Sequence, residues 1–486
     1  MKYVTEGYEP KEVLQYFEDI ARIPRGSGNE AEVAQYVYDW GKNLGLDVWK
    51  DDYNNVIIRK PGSEGCENLP PVMLQGHTDI VAVKLPESDH NFETDPLPLY
   101  VDKELGRLRS KGTTLGADNG NAVAYMMGIL SRNDLVHPPL ECVFTSGEEI
   151  GLKGADRLDA NAFTAKRMIN MDAGGEDQSV TTVGCAGGLE MKMRQKPIWQ
   201  DAKGNFVSIF IHGLQGGHSA GAINLGRGNA GKLIARIINH VSLKTKTVVA
   251  TINGGDKQNA IMSDVKAVIS VEDLDVALAA IGKTAADIKE ELRVTDPGFI
   301  CEFAPCEAPE KMLDDAQSKK LVTFVLAVPA GVRDMSFEIE GHVLNSNNLA
   351  AVQVWDDEIL VWTLGRSGDD SRQEAMGEEV RALAEAFGFE PTIGAHFFGW
   401  KYNPESEMRR LHTKLFKEKF DIDLHVEATH GGLECGVFCG KEPEMDIICF
   451  GPKGGGAHTP EEWLDIKSFG ELYDYLIFFL EQLTKE

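Results

Sequence analysis

Short apolar runs alternate with amphipathic helical patterns through the first 190 residues or so, and this alternation constrains the fold more than any other feature. The runs "PVMLQGHTDI", "PLECVFTS" and "AKRMINMD" predict buried strands. The segment "DNGNAVAYMMGILSRND" predicts a helix opened by Asp and Asn at capping positions. Strands that alternate with helices form a mostly parallel sheet covered on both faces. We therefore expect an α/β domain here.

The pattern changes between about residues 189 and 400. The runs "NFVSIFIHGL", "KTVVATING", "VKAVISVED" and "DEILVWTLG" alternate as half-exposed strands do, and helical patterns separate some of them. This favours an α+β region built on an antiparallel sheet. The α/β pattern then returns with "MDIICFG" and a last helix. A chain of 486 residues is long for one core, so we predict one domain over 1–188 and 401–486 that is interrupted by another over 189–400.

Composition excludes several classes of partner. The net charge of −27 disfavours nucleic-acid backbones and anionic membranes. The first residues lack the uninterrupted apolar region of a signal peptide, and no stretch has the apolar length that spans a bilayer. We expect a cytoplasmic protein. The eight cysteines are too scattered for a disulfide scaffold, and we expect them to be reduced.

Polar side chains follow the predicted strands at their carboxyl ends, the edge at which open α/β sheets bind ligands. The motifs are "HTD" at 77–79, "GEE" at 147–149, "NMDAG" at 170–174 and "GGGAHTPEE" at 454–462; a fifth, "GADNG" at 116–120, opens a helix instead. Imidazole with carboxylate suits zinc, manganese or cobalt better than calcium or magnesium. Two cations that share a bridging carboxylate and a water need about this many groups.

Each motif by itself has a simpler explanation. His77 and Asp79 could form a strand-end turn, Asp118 could cap a helix, and the adjacent glutamates could lie in a solvated turn. His458 could be an ordinary histidine in a glycine-rich loop. Five such motifs at one predicted sheet edge favour a metal site over five separate explanations.

As a set, the motifs resemble the co-catalytic metallopeptidases that include bacterial glutamate-releasing carboxypeptidase, aminoacylase and carnosinase, and the resemblance runs the length of the chain. The strings "HTDIV", "LGADNG", "TSGEEIGLKGA" and "GPKGGGAHTPEEW", together with the chain length, are most similar to the aminoacyl-histidine dipeptidase branch, also called peptidase D. The resemblance implies that the interrupted domain is catalytic and that 189–400 is a lid and dimerisation domain.

The resemblance also implies two divalent cations per chain, zinc first and manganese or cobalt as alternatives. Its roles for the motif residues are one metal on His77 and Asp172, the other on Glu149 and His458, a bridge by Asp118, orientation of His77 by Asp79, and general-base catalysis by Glu148. It further implies a cis peptide bond after Asp118.

In the predicted lid, the resemblance makes His218 a residue that stabilises the oxyanion, often across a homodimer. Asn259 and Arg366 would hold the substrate carboxylate, and Gly432 would let the main chain approach the substrate. From the residues alone, His218 could instead cap a helix and Arg366 could be a surface arginine. His430 and Glu434 could be structural.

We therefore expect a dipeptidase that acts on Xaa–His and related small peptides. A deacylase of N-acyl amino acids, or a carboxypeptidase, would use the same site. A non-catalytic metal-dependent binding protein on this fold would need a broken ligand set or a missing base, and all seven positions carry competent residues.

Overall fold

Residues 2–485 are described by a computed structural model, in which the chain divides into two units. Unit 1 contains the chain up to Cys185, Trp400–Ala428 and the chain from Leu433 onward. Unit 2 contains Ala186–Gly399 and Thr429–Gly432. The roles that the resemblance gives to 1–188, 189–400 and 401–486 stay predictions.

The first part of unit 1 alternates helices and strands. The helices are α1 (Lys11–Ala21), α2 (Ala31–Asn43), α3 (Ala117–Ser131) and α4 (Lys153–Arg157), with a 3₁₀ turn at Ala160–Ala162. The strands are β1 (Asp47–Lys50), β2 (Val56–Lys60), β3 (Val72–His77), β4 (Leu99–Asp102), β5 (Arg107–Ser110), β6 (Leu140–Thr145), β7 (Arg167–Asn170) and β8 (Val180–Cys185).

Unit 2 is built mainly from strands. They are β9 (Gly187–Gln195), β10 (Trp199–Asp201), β11 (Asn205–His212), β12 (Thr247–Gly254), β13 (Val265–Val271), β14 (Ile300–Cys306), β15 (Lys311–Leu313), β16 (Gly331–Met335), β17 (Val343–Val354), β18 (Ile359–Ser367) and β19 (Glu390–Phe397). The helices are α5 (Ser219–Ala222), α6 (Ala230–Ser242), α7 (Leu274–Glu291), α8 (Asp315–Ala327) and α9 (Asp370–Ala386).

The last part of the chain returns to unit 1. Its helices are α10 (Glu407–Phe420), α11 (Glu434–Lys441) and α12 (Ile466–Gln482). Its strands are β20 (His425–Thr429), β21 (Asp446–Cys449), β22 (Gly454–Gly455) and β23 (Trp463–Asp465). No helix within residues 2–485 is both long and apolar enough to cross a membrane.

The main sheet of unit 1 has the order β1-β2-β6-β3-β7-β21-β8-β20. Its four central strands β6, β3, β7 and β21 are parallel, whereas β1, β2 and β8 pair antiparallel. β3 and β6 are buried along their whole length, as strands covered on both faces must be. The predicted α/β fold is confirmed, and its parallel part is the centre of the sheet.

Helix α3 packs on β3 with almost no exposed surface, which explains why its sequence is apolar all round. Gly76 on β3 makes this contact close, because a Cβ there would lie 2.2 Å from the Ala122 Cβ. A second small sheet has the order β22-β23-β5-β4. Together these elements bring the start of α3 and the β22–β23 turn to the carboxyl end of the parallel strands.

Unit 2 contains an antiparallel sheet of order β14-β11-β13-β12-β17-β18-β9-β19, and β16 pairs with β17. Helices α6, α7, α8 and α9 share one apolar cluster with one face of this sheet. The α+β architecture predicted for this region is confirmed. Successive side chains of β18 point to opposite faces of the sheet. Val361, Thr363 and Gly365 lie on the face that packs against the helices, so Trp362 and Arg366 point away from them.

Candidate metal centre

Three neighbouring parallel strands end at the same edge of the unit 1 sheet. His77 is the last residue of β3, Asp172 lies two residues after β7, and Glu148 lies three residues after β6. The Nε2 of His77 is 3.6 Å from Oδ1 of Asp172 and 4.0 Å from Oε2 of Glu148. The sheet order alone therefore brings these predicted site residues together.

Asp118 lies between two imidazoles. Its Oδ1 is 3.1 Å from Nε2 of His77, and its Oδ2 is 3.1 Å from Nε2 of His458. The Asp118–Asn119 peptide bond is cis, as the resemblance implied. The predicted capping role is wrong, since the start of α3 has no side-chain cap and Asp118 has non-helical backbone angles. Its carboxylate instead presents one oxygen to each histidine.

His458 reaches the centre from an unexpected element. It lies in the turn between β22 and β23 of the small sheet, whereas the sequence placed it in a simple loop after β21. Its backbone is left-handed, with φ of 63°. Its Nε2 lies 3.0 Å from Oε1 of Glu149, so one imidazole contacts both Asp118 and Glu149.

Asp79 holds the paired glutamates in place. It is fully buried; its Oδ1 accepts a hydrogen bond from the Glu148 main-chain N at 3.0 Å, and its Oδ2 accepts one from the Glu149 N at 3.2 Å. It also accepts from the hydroxyl of Ser27 and lies beside Nδ1 of His77. The side chains of Glu148 and Glu149 are 12% and 8% exposed, which excludes a solvated turn.

The centre concentrates negative charge in a buried space. Burial, with repulsion from Asp172, Glu434 and Glu149, raises the pKa of Glu148 well above its ordinary value. Burial and Asp118 likewise raise the pKa of Asp172. Hydrogen bonds with Asp118 and Glu149 raise the pKa of His458 to about 10. The raised pKa values mean that these groups bind protons tightly, and the same negative charge would favour the binding of metal cations.

The donor set fits divalent cations. Ligand atoms lie within 4.8 Å of one another in each of three groups: His77, Asp118 and Asp172; His77, Glu148 and Glu149; Asp118, Glu149 and His458. Asp118 is shared by the first and the last group, and each of these adds one further carboxylate and one imidazole. Such mixed nitrogen and oxygen donors suit zinc, manganese or cobalt.

A layer of buried polar side chains lies on the same strands, just before the residues of the centre. Gln75 precedes His77 on β3, and its amide nitrogen donates to Glu434 on α11. Thr145 at the end of β6 also donates to Glu434, and Asn170 at the end of β7 donates to Gln75. Burial raises the pKa of Glu434 to about 7. The sequence left Glu434 as a structural candidate, and this layer supports the strand ends that carry the centre.

Two further charged residues that sequence reasoning missed fix the loop before Asp118. Buried Glu462 accepts hydrogen bonds from the main-chain N–H groups of residues 115–118, at 2.7, 2.9, 2.9 and 3.2 Å. Buried Arg25 donates to the carbonyl oxygens of Thr78 and Gly116. In the sequence, the role of Glu462 is indicated only by its position as the second glutamate of "HTPEEW", four residues after His458.

Predicted substrate residues form a separate group within unit 2. His218 is the N-cap of α5, with Nδ1 accepting from the Ala220 N, so the capping role is real. Ser219 donates its main-chain N–H to the Asn259 carbonyl and accepts at its hydroxyl from Nε of Arg366. Thus one residue, Ser219, links the segments of His218, Asn259 and Arg366.

Arg366 is not a surface residue, because it is only 4% exposed. Burial lowers the pKa of its guanidinium to about 10. Within residues 2–485 no carboxylate forms an ion pair with it. The neighbouring His430 is neutral: burial and the positive charge of Arg366 lower its pKa to about 3, and its ring pairs with the Ser346 hydroxyl at 2.7 Å. A buried cation without an anion fits an anionic ligand.

Comparisons with known proteins identify the family of the chain and the fold that it shares with solved structures. The profile of peptidase family M20/M25/M40 matches residues 73–482. The cytosol non-specific dipeptidase of Escherichia coli (strain K12) is 31% identical over 478 residues, which are 98% of each chain. The crystal structure of aminoacylhistidine dipeptidase from Vibrio alginolyticus is 30% identical with a TM-score of 0.89, covering 99% of this chain and 98% of that one. A tripeptidase from Staphylococcus aureus, 16% identical with a TM-score of 0.57 over 99% and 100% of the chains, shares the fold.

The contacts of Glu462 predict a loss of metal affinity when its carboxylate is changed. In Glu462→Gln, an amide NH₂ would face main-chain N–H groups that now donate to an oxygen, and Asp118 would move. We expect the affinity for zinc to fall about 10- to 100-fold, measured by chelator competition. Glu461→Gln is the matched control, because that neighbouring side chain is 77% exposed. Equal affinities in the two variants would contradict the positioning role.

Proposed function

The chain belongs to peptidase family M20/M25/M40, and we propose that it is a dipeptidase that prefers Xaa–His substrates. Metal-dependent hydrolysis of dipeptides is the activity that its family and its dipeptidase relatives support. The observation that carries the proposal is the position of Asp118. Its Oδ1 is 3.1 Å from the imidazole of His77, and its Oδ2 is 3.1 Å from the imidazole of His458. The preference for histidine rests on the aminoacylhistidine dipeptidase that shares the fold over nearly the whole chain.

The ligand assignment is part of the proposal. His77 and Asp172 would hold one cation, Glu149 and His458 the other, and Asp118 would bridge them. Two of the three donor groups, His77 with Asp118 and Asp172 and Asp118 with Glu149 and His458, match this division. Zinc is proposed first, with manganese and cobalt as alternatives. When bound, the two cations would polarise the scissile carbonyl and lower the pKa of the attacking water.

Glu148 is proposed as the general base. It lies within 4.0 Å of the His77 ring, and its main chain is fixed by Asp79. Its carboxylate would take a proton from the attacking water and pass it to the leaving amine. Asp79 would act through its neighbours. Its carboxylate oxygens accept from both glutamate main chains. Nδ1 of His77 lies 3.1 Å from its main-chain oxygen and 3.4 Å from its Oδ1. The adjacent glutamates thus have separate tasks, one toward a metal and one toward the water.

The substrate carboxylate would bind at Arg366. The guanidinium is buried and forms no ion pair within the described part of the chain, and a planar carboxylate matches its geometry. Asn259, linked to Arg366 through Ser219, would support the same carboxylate. Gly432 would allow the main chain to approach the substrate. A free C-terminal carboxylate is therefore proposed as a requirement of the substrate.

The oligomeric state and the cellular location are also proposals. We propose a homodimer that forms through unit 2, with His218 stabilising the oxyanion in the active site of the partner. A cytoplasmic location is supported by the relative named as a cytosol dipeptidase. The net charge of −27 argues against nucleic acid and anionic membranes as partners.

The two glutamates should fail in different ways. Glu148→Gln keeps its shape and removes no proposed ligand, so we expect normal metal content, a similar KM and a kcat lower by about 100- to 10,000-fold. Glu149→Ala should lose metal, and excess zinc should restore part of its rate. Metal counting by mass spectrometry beside steady-state kinetics measures both effects. Loss of metal from Glu148→Gln would reverse the assignment.

The carboxylate requirement predicts discrimination between a dipeptide and its amide. Amidation of Ala–His should lower kcat/KM about 10- to 100-fold, because a charged hydrogen-bond partner of Arg366 is lost. In Arg366→Met the acid and the amide should be hydrolysed equally slowly. Arg194→Met is the matched control, since that arginine lies on the adjacent strand β9 and pairs with Glu358. Unchanged discrimination in Arg366→Met would remove Arg366 from the site.

A mixed dimer tests the trans role of His218. One chain carries His218→Ala and the other carries Glu148→Ala, and each homodimer should be nearly inactive. If His218 serves the partner, one active site of the hybrid has both groups, and activity should reappear when the chains are mixed and allowed to exchange. If mixing restores nothing while the hybrid forms on a native gel, His218 does not act in trans.

A further inference from the structure

Four residues stand side by side across neighbouring strands of the unit 2 sheet. Ser346 on β17 is opposite Arg366 on β18, Arg366 is opposite Gly188 on β9, and Gly188 is opposite Phe397 on β19. Directly opposite residues in antiparallel pairs share a face of the sheet. The side chains of this row therefore lie on the face that points away from helices α6–α9.

The aromatic ring of Phe397 lies over the glycine of this row. A Cβ at Gly188 would lie 2.2 Å from the ring Cζ and 2.4 Å from Cε1. A Cβ at Gly432 would lie 3.0 Å from the ring Cε2. The ring thus occupies space that two glycines leave free, one on the strand beside Arg366 and one at the proposed main-chain contact with substrate.

The position of the ring relative to Arg366 follows from the strand spacing. Neighbouring strands are about 4.8 Å apart, so the main chains of Arg366 and Phe397 are about 10 Å apart. Because the Phe397 side chain leans over Gly188, its ring covers the strand between them. A substrate residue whose carboxylate is held by Arg366 would carry its side chain within reach of this ring.

We infer that Phe397 forms the wall of the subsite for the C-terminal side chain of the dipeptide and favours histidine there. This inference rests on the proposed function. An imidazole can stack on the phenyl ring or meet it edge-on, a contact that an alanine side chain does not make. The uncharged Ser346–His430 pair beside Arg366 adds no anion that would compete for the guanidinium.

The first test compares two substrates on one variant. In Phe397→Ala the ratio of kcat/KM for Ala–His to that for Ala–Ala should fall about 3- to 10-fold, the range that one aromatic pair contributes. The change should appear mainly in KM for Ala–His, with a smaller effect on Ala–Ala and with metal content unchanged. Phe398→Ala is the matched control, since that adjacent ring is 40% exposed, and it should leave the ratio unchanged.

A second variant displaces the same ring by adding a methyl group on the strand beneath it. Gly188→Ala should displace the Phe397 ring and lower the ratio as Phe397→Ala does. In the Phe397→Ala background the added methyl has no ring to meet, because the three nearest atoms to a Cβ at Gly188 all belong to Phe397. The double variant should therefore show the ratio of Phe397→Ala with no further loss.

The outcomes separate the inference from the function on which it rests. A wild-type ratio in both single variants, with both dipeptides hydrolysed, would overturn the role of Phe397 and leave the dipeptidase intact. Equal losses on Ala–His and Ala–Ala would also overturn it, since a structural defect has no substrate preference. If the zinc-loaded wild-type enzyme hydrolysed neither dipeptide, the proposed function would be wrong and the inference would fall with it.

Discussion

The carboxylate of Asp118 between the imidazoles of His77 and His458 is the contact on which the centre depends. These three residues come from a parallel strand, the start of a helix and a turn of a separate small sheet. They can meet only if all three elements are fixed with respect to each other. Gly76 lets α3 pack closely on β3, and Glu462 ties the β22–β23 region to the main chain before Asp118. The protein therefore uses buried charge to place a ligand-bearing loop.

The electrostatics of the centre favour the binding of positive charge beside the glutamate pair. Several carboxylates lie in a buried space, and burial raises the pKa of Glu148 and Asp172. Asp79 behaves differently. Although burial raises its pKa, hydrogen bonds with His77 and Ser27 and from the Glu148 main chain hold that pKa below its ordinary value. Asp79 thus stays ionised as a scaffold, while the remaining negative charge is available to bind cations.

Much of this arrangement could be predicted from the sequence, because parallel strands place their carboxyl ends at one edge. That rule predicts that His77, Glu148 and Asp172 lie close together. It could not place His458, since two-residue strands such as β22 carry no periodic signal. The helical pattern by itself indicated a capping role for Asp118, because Asp before an apolar helix usually caps. The tertiary contact with two histidines overrides that preference.

Residues that act through the main chain were beyond the reach of sequence patterns. Asp79 was assigned to His77, and its bonds to the glutamate backbone depend on the fold of the turn. The contacts of Arg25 and Glu462 likewise depend on backbone that is distant in the chain, 53 and 91 residues away for Arg25 and more than 340 for Glu462, and the Phe397–Gly188 contact depends on strand register. A single glutamate or glycine in a sequence does not reveal which distant backbone it serves.

The proposed two-metal hydrolysis is tested most directly by titrating the metal-stripped protein with metal and measuring its activity on dipeptides. We predict no hydrolysis of Ala–His without metal, recovery as zinc, manganese or cobalt is added, and saturation at two cations per chain. N-acetyl amino acids should be poor substrates throughout the titration. Full activity in the stripped protein, saturation at one cation, or faster hydrolysis of N-acetyl amino acids than of dipeptides would contradict a two-metal dipeptidase.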